Sequence, residues 1–206
     1  MTNRLPQELL IATHNEGKVA ELKLLLAEFP ARLRSLKEFP EIEEVEETGT
    51  TFAENAALKA SSYAERTRLW TLSDDSGLEV NALGGAPGVY SARYKGPGLS
   101  YGERIRQLLE ELSETGSDDR RARFVCVIAI ANPQGEIVNS STGTCEGTIA
   151  RAPRGTNGFG YDPIFVPDGF EQTFGELPTD IKEEISHRAR ALRGARSFLL
   201  NQFPPG

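Results

Sequence analysis

Leu72–Tyr94 reads LSDDSGLEVNALGGAPGVYSARY, and its chemistry organises what lies on either side. A short apolar run, Leu69–Trp70–Thr71–Leu72, leads to the paired acids Asp74 and Asp75, and a second strand-like run, Leu78–Glu79–Val80, follows Ser76 and Gly77. A strand ending in Asp-Asp-Ser-Gly brings two carboxylates to a sheet edge, where loops of α/β proteins gather ligands. Gly84–Gly85–Ala86–Pro87–Gly88 predicts a tight turn with little side-chain bulk. The turn has neither phosphate-loop spacing nor the dinucleotide fingerprint, which argues against a dehydrogenase.

Upstream, Thr51 with Glu54 forms a capping-box pattern for a helix over 51–66. Its apolar stripe is Phe52, Ala56, Ala60, Tyr63 and Ala64, with Asn55 and Lys59 sharing a face beside it. Before it lies an acidic run, Glu41, Glu43, Glu44, Glu46 and Glu47, read mainly as a solvated face. Nearer the N-terminus, Leu9–Ala12 reads as a short buried strand, and Val19, Leu22, Leu25, Leu26 and Phe29 recur at helical spacing over 18–29. The polar loop Thr13–Lys18 joins the two. A strand, a short loop and a helix start present backbone N–H groups to an anion. Lys18 in the first turn opposes the helix dipole unless something negative sits there.

Downstream, Ser100 and Glu103 cap a scaffold helix with Tyr101, Ile105, Leu108, Leu109 and Leu112 as core positions. Ala122–Ile130 is a strand apolar enough to be buried on both faces. Asn132–Gly135 turns it into a second strand through Ile149, an antiparallel hairpin that makes the sheet mixed. Gly155–Pro163 then packs glycines, Phe159, Tyr161 and Asp162 into one loop, and aromatic faces in such settings suit base stacking. Ser186 suits an N-cap for a last helix with Ala189, Leu192, Ala195 and Leu199 inside. His187 and Arg188 fall in its first turn, where cations serve a ligand better than they serve the dipole.

The 206 residues suit one domain over 1–206, with no linker rich enough to divide it and only Pro204–Pro205–Gly206 as a tail. A net charge of -7 argues against a nucleic-acid partner. Two cysteines, Cys126 and Cys145, exclude a disulfide framework and a cysteine zinc site, and a reducing cytoplasm is expected. No signal region and no membrane-spanning window is present in the sequence. Lys18, Lys59 and Lys182 supply charge for phosphates, and Asp75 with the glutamates near Thr48 supplies hard oxygens for magnesium. Phe159 offers a stacking face, and His187 with Arg188 offers donors. Together they describe a nucleoside triphosphate site built without a phosphate loop.

Five motifs in order carry a resemblance. They are ATHNEGKVAEL at Ala12–Leu22, EETGTTFAENAALKA at Glu46–Ala60, DDSGLEVNALGGAPGVYSARY at Asp74–Tyr94, GFGYDPIF at Gly158–Phe165 and ISHRARAL at Ile185–Leu192. The chain resembles the inosine triphosphatase-like family, which removes deaminated purine nucleotides. The resemblance implies hydrolysis of ITP, dITP and XTP to monophosphate and pyrophosphate, a Mg2+ requirement and a homodimer. It also implies a two-lobed α/β fold, an elongated mixed sheet flanked by helices, with the site in the cleft.

Carried over by position, Thr13, His14, Asn15, Glu16, Gly17 and Lys18 would bind the triphosphate. Asp75 would accept a proton and ligate the metal, Lys18 and Lys59 would assist catalysis, and Ser76 would touch substrate. Phe159, Gly160, Tyr161 and Asp162 would line the nucleoside pocket, with Lys182, His187 and Arg188 completing it. The second metal carboxylate would be Glu46 or Glu47, with Glu46 preferred. Competing expectations are a pyrophosphatase for modified pyrimidine nucleotides and a sensor that binds without turnover.

Overall fold

The structure, a computed structural model, describes residues 6–202; the Pro204–Gly206 tail lies outside them. Six strands form one mixed sheet in the order β2-β1-β3-β4-β5-β6: β1 Glu8–Ile11, β2 Arg32–Ser35, β3 Trp70–Val80, β4 Arg121–Ala131, β5 Ile137–Ile149 and β6 Phe165–Pro167. β1 pairs in parallel with β2 and β3, while β6 pairs antiparallel with β5. The helices are α1 Glu16–Leu25, α2 Phe52–Thr67, α3 Tyr101–Glu114, α4 Thr179–Ile185 and α5 His187–Gln202.

The helix starts follow local chemistry. In α2, Thr51 accepts from the Glu54 amide while Glu54 reaches back to the Thr51 amide; Ser100 and Glu103 repeat this for α3. Each such cap satisfies donors that a helix start leaves open and is worth about 1 kcal/mol. Asn15 caps α1, its Oδ1 accepting the Lys18 N–H at 3.1 Å.

Two compact units divide the chain, and it passes between them four times. The first holds residues up to Asp75, Cys126–Gly143 and those from Arg188 on; the second holds Ser76–Val125 and Thr144–His187. In the first, Leu9, Ile11, Leu22, Leu26, Leu72, Ile128, Leu192 and Leu199 pack together, and Leu10, Ala12, Leu36 and Tyr63 form a further cluster. In the second, Leu78, Val80, Leu108, Phe124, Tyr161, Phe165 and Phe174 form the core.

One expectation is corrected. Asp74 and Asp75 do not end a strand at a sheet edge: β3 runs unbroken through them and lies inside the sheet between β1 and β4. Buried carboxylates are tolerated there because cations meet them, as the site geometry shows.

Candidate active site

In the first unit, Asp74 is fully buried and serves as the hub of an ionic cluster. Lys18 Nζ lies 3.1 Å from its Oδ2, and Arg188 brings Nε and Nη2 to the same oxygen at 3.4 Å each. Arg188 also donates to Glu21 of α1. Burial would raise the Asp74 pKa, but Lys18, Arg188 and Lys59 outweigh it and hold the carboxyl well below its ordinary range. The negative group that Lys18 needs in its helical turn is thus Asp74.

The neighbouring Asp75 points to another set of partners. Asn55 Nδ2 donates to its Oδ2 at 3.1 Å, and Lys59 Nζ stands 3.8 Å from its Oδ1. Lys59 also pairs with Glu47. Burial first, and then the Glu47 charge, push the Asp75 pKa up against the pull of Lys59 and Lys18. Burial lowers the Lys59 ammonium, yet Asp75, Asp74 and Glu47 more than offset it and the net shift is upward.

The acidic segment before α2 lies along that helix as an extended arm. Arg66 Nη1 donates to the Glu43 carbonyl at 3.0 Å, the Val45 amide donates to the Tyr63 hydroxyl at 3.0 Å, and Glu47 takes Lys59. Every second arm residue therefore meets one turn of α2. The spacings agree, since two extended residues span about 6.6 Å and three or four helical residues about 4.5–6 Å. Glu46 points out to solvent, so the carboxylate beside Asp75 is that of Glu47, not the preferred Glu46. The alternation of an extended chain decides this.

Among the described residues, no group of three or more His, Cys, Asp or Glu side chains is gathered to hold a metal ion. The two carboxylates Asp75 and Glu47 nevertheless fit a hard divalent cation: both already converge on the Lys59 ammonium, and each raises the cost of the other's charge. Mg2+ commonly takes one or two protein carboxylates and completes its shell with phosphate oxygens and water.

In the second unit, Asp162 Oδ2 accepts the Phe159 amide at 2.7 Å and Lys182 Nζ at 2.6 Å. The Lys182 ammonium stands 5.0 Å from the Phe159 ring centroid and 5.8 Å from that of Phe174. Gly158, at φ +73°, is obligatory, because a Cβ there would lie 2.0 Å from Asp162 Oδ2. Tyr161 packs in the core of the second unit: it is buried, its hydroxyl donates to the Ser91 carbonyl at 3.0 Å, and its ring meets Tyr101 edge-on. His187 is buried with its ring stacked on Phe124, centroids 4.7 Å apart.

The expected residues therefore fall into two groups. Lys18, Lys59, Asp75 and Arg188 share the first unit with Thr13–Gly17, of which exposed Glu16 turns to Lys37 at 2.5 Å. Ser76, Phe159, Gly160, Asp162, Lys182 and His187 belong to the second. Arg188, expected beside His187 as a donor to the base, extends to Asp74 and Glu21. Glu21 was not foreseen, although its position three residues after Lys18 puts both on one face of α1.

A buried carboxylate pair met by two lysines and an arginine in one unit, and a glycine-rich aromatic loop holding a third lysine in the other, are the equipment of a nucleoside triphosphate hydrolase. Residues 9–198 match the model of the Ham1 family, and the chain belongs to that family. A protein from Bacillus cereus named dITP/XTP pyrophosphatase is 49% identical over 191 residues, 91% of this chain and 92% of that one. One of the same name from Gloeobacter violaceus is 53% identical over 185 residues, 90% of each. The solved structure of a HAM1 protein from Coxiella burnetii superposes with a TM-score of 0.87 at 42% identity, covering 94% of this chain and 98% of that one. The family expected from the five motifs is the one found.

Proposed function

We propose that this chain hydrolyses ITP, dITP and XTP to the nucleoside monophosphate and pyrophosphate, removing them from the nucleotide pool. The observation that carries the reading is the cluster of Lys18, Lys59 and Arg188 around Asp74 and Asp75. Buried Lys59 and Arg188 and half-buried Lys18 offer the charge a triphosphate needs, and one carboxylate among them is poised to act as a base. The names of the relatives point to the same substrates.

Water attacks the α-phosphorus, the α–β bridging bond breaks, and pyrophosphate leaves with the bridging oxygen. Asp75 accepts the proton of the attacking water, and its raised pKa brings it nearer to a working base. Lys18 and Lys59 stabilise the charge that develops on the departing oxygen. Asn55 fixes the orientation of the Asp75 carboxylate through its 3.1 Å hydrogen bond. Asp75 and Glu47 would hold Mg2+, which when bound neutralises phosphate charge and lowers the pKa of its water.

Phe159 and Lys182 carry the chemistry of an oxo-purine reader, a ring to stack on and an ammonium to donate to a 6-oxo group. An adenine amino group facing that donor leaves it unpaired, at about 1–3 kcal/mol or roughly ten- to a hundredfold in rate. A homodimer, implied by the family resemblance, and a cytoplasmic location, expected from the cysteine usage, belong to the same proposal. Two buried cysteines outside any disulfide accord with a reducing compartment, and among the described residues no helix is long and apolar enough to cross a membrane.

The test is pyrophosphate release from ITP, dITP, XTP, ATP and GTP, with Mg2+ and with a chelator. Fast release from the first three, at least about tenfold slower release from ATP, and none with chelator are expected. Equal turnover of ATP and ITP would refute the base reading, and full activity in chelator would refute the cation.

A further inference from the structure

Tyr63 stands outside the mechanism above, yet its hydroxyl touches two of the segments that the mechanism needs. The ring is buried among Leu10, Ala12 and Leu36. The hydroxyl accepts the Val45 amide at 3.0 Å and lies 3.2 Å from Nε2 of His14, a residue of the Thr13–Lys18 loop. Having accepted one hydrogen bond, it has its own proton to give to Nε2 when His14 carries its proton on Nδ1. One oxygen atom thus fastens the acidic arm to the loop that carries Lys18. Of the arm's contacts with α2, this one lies between two others, and the Gly49 amide donates to Asn55 Oδ1 at 2.8 Å farther along. On one side Arg66 holds the Glu43 carbonyl; on the other, two residues along, Glu47 meets Lys59 next to Asp75.

We propose that the Tyr63 hydroxyl is a positioning group that sets the register of the arm, and through it the place of Glu47 beside Asp75, so that the divalent cation finds both carboxylates ready. The inference rests on the reading of Asp75 and Glu47 as the cation's carboxylates. Tyr63 touches neither substrate nor cation; it acts through the arm. The arm is held by such point contacts and by the packing of Ile42 and Val45 against the Tyr63 cluster, and losing the Tyr63 hydrogen bond loosens the backbone between Glu43 and Glu47. Extended chain makes the register sharp: a slip of one residue would turn Glu46 inward and Glu47 to solvent.

The experiment titrates Mn2+ into the full chain by calorimetry without nucleotide, for the parent, Tyr63→Phe, Glu47→Gln and the double variant, with thermal melts alongside. Tyr63→Phe keeps the ring and its packing and should melt close to the parent. Its Mn2+ affinity should fall about 3- to 10-fold, the worth of one hydrogen bond, and exchange of the Val45 amide should quicken. In the Glu47→Gln background the same substitution should change Mn2+ affinity by less than about 1.5-fold, because there is no carboxylate left to position. Unchanged Mn2+ affinity in Tyr63→Phe overturns the inference, as does a loss that persists in full without Glu47. Pyrophosphate release from dITP separates the two readings. A parent that binds Mn2+ with the Tyr63 dependence but releases no pyrophosphate overturns the activity alone. An active parent whose Mn2+ affinity ignores Tyr63 overturns the positioning role alone. A parent that binds no Mn2+ overturns the positioning role whatever its activity.

Discussion

Replacing Asp75 by Asn should cripple turnover and leave the protein as stable as before or more so. Asn is nearly isosteric, and its carbonyl oxygen can still accept the Asn55 Nδ2–H that Asp75 Oδ2 now takes at 3.1 Å. Lys59 keeps its pairing with Glu47. The catalytic loss is that of a positioned base and an anionic ligand together, at least about 100-fold. The stability argument follows from the pKa. The carboxyl of Asp75, 4% exposed, is shifted upward in the folded protein by burial and by Glu47. A group with a raised folded pKa favours folding below its unfolded pKa, near 3.9, and that benefit is lost as pH rises through the folded value. At pH 7 the ionised Asp75 therefore opposes folding, and Asn removes the burden, as expected for a residue retained for chemistry. Pyrophosphate release from ITP with Mg2+, and urea unfolding in chelator at pH 7, measure the two effects. Turnover near that of the parent would remove Asp75 from its role. A lower urea midpoint would show that the Lys59 and Asn55 contacts outweigh the desolvation, which is contrary to the reasoning.

Gly158→Ala should lower the unfolding free energy by about 1–2 kcal/mol for the left-handed backbone alone, and by more as the new Cβ, 2.0 Å from Asp162 Oδ2 and 3.1 Å from Lys182 Nζ, displaces that pair. It should also raise KM for ITP; an unchanged urea midpoint and KM would refute the close approach. Cys126, buried against Asp74 with Sγ 3.9 Å from Oδ2, has its thiol pushed up to about 12, chiefly by burial. With an unfolded value near 8.5, its contribution is intact below that pH and is lost as pH climbs toward 12. Between pH 8.5 and 10 the parent should lose about 2 kcal/mol more than Cys126→Ala, and identical pH slopes in urea unfolding would refute this.

Much of the fold was legible because the signals are local. Thr51 with Glu54 and Ser100 with Glu103 announce helix starts by chemistry confined to four residues. The unbroken apolar run after Ala122 announces a strand covered on both faces. Where meaning depends on a partner distant in sequence, the reading ran short. Ser76 and Gly77 look like breakers after Asp75, yet β3 continues through them because its neighbours in the sheet supply the ladder. Glu46 and Glu47 are equivalent in a string of letters; only the phase of the arm against α2 tells them apart. Arg188 is recognisable as a cation at a helix start, but its direction is set by Asp74 and Glu21, 114 and 167 residues away. Tyr161 reads as an aromatic in a binding loop, and only the Ser91 carbonyl, 70 residues distant, shows it to be a brace.

The sharing of one Asp74 oxygen between Lys18 and Arg188 has a bearing on how a catalytic cycle would close. On the proposed function, an incoming polyphosphate would not meet bare cations; it would have to draw them from an internal counter-ion that never leaves. That competition would temper affinity for substrate and for pyrophosphate alike. When the product departed, the same carboxylate would reclaim both side chains, restoring the resting arrangement without any anion borrowed from solution.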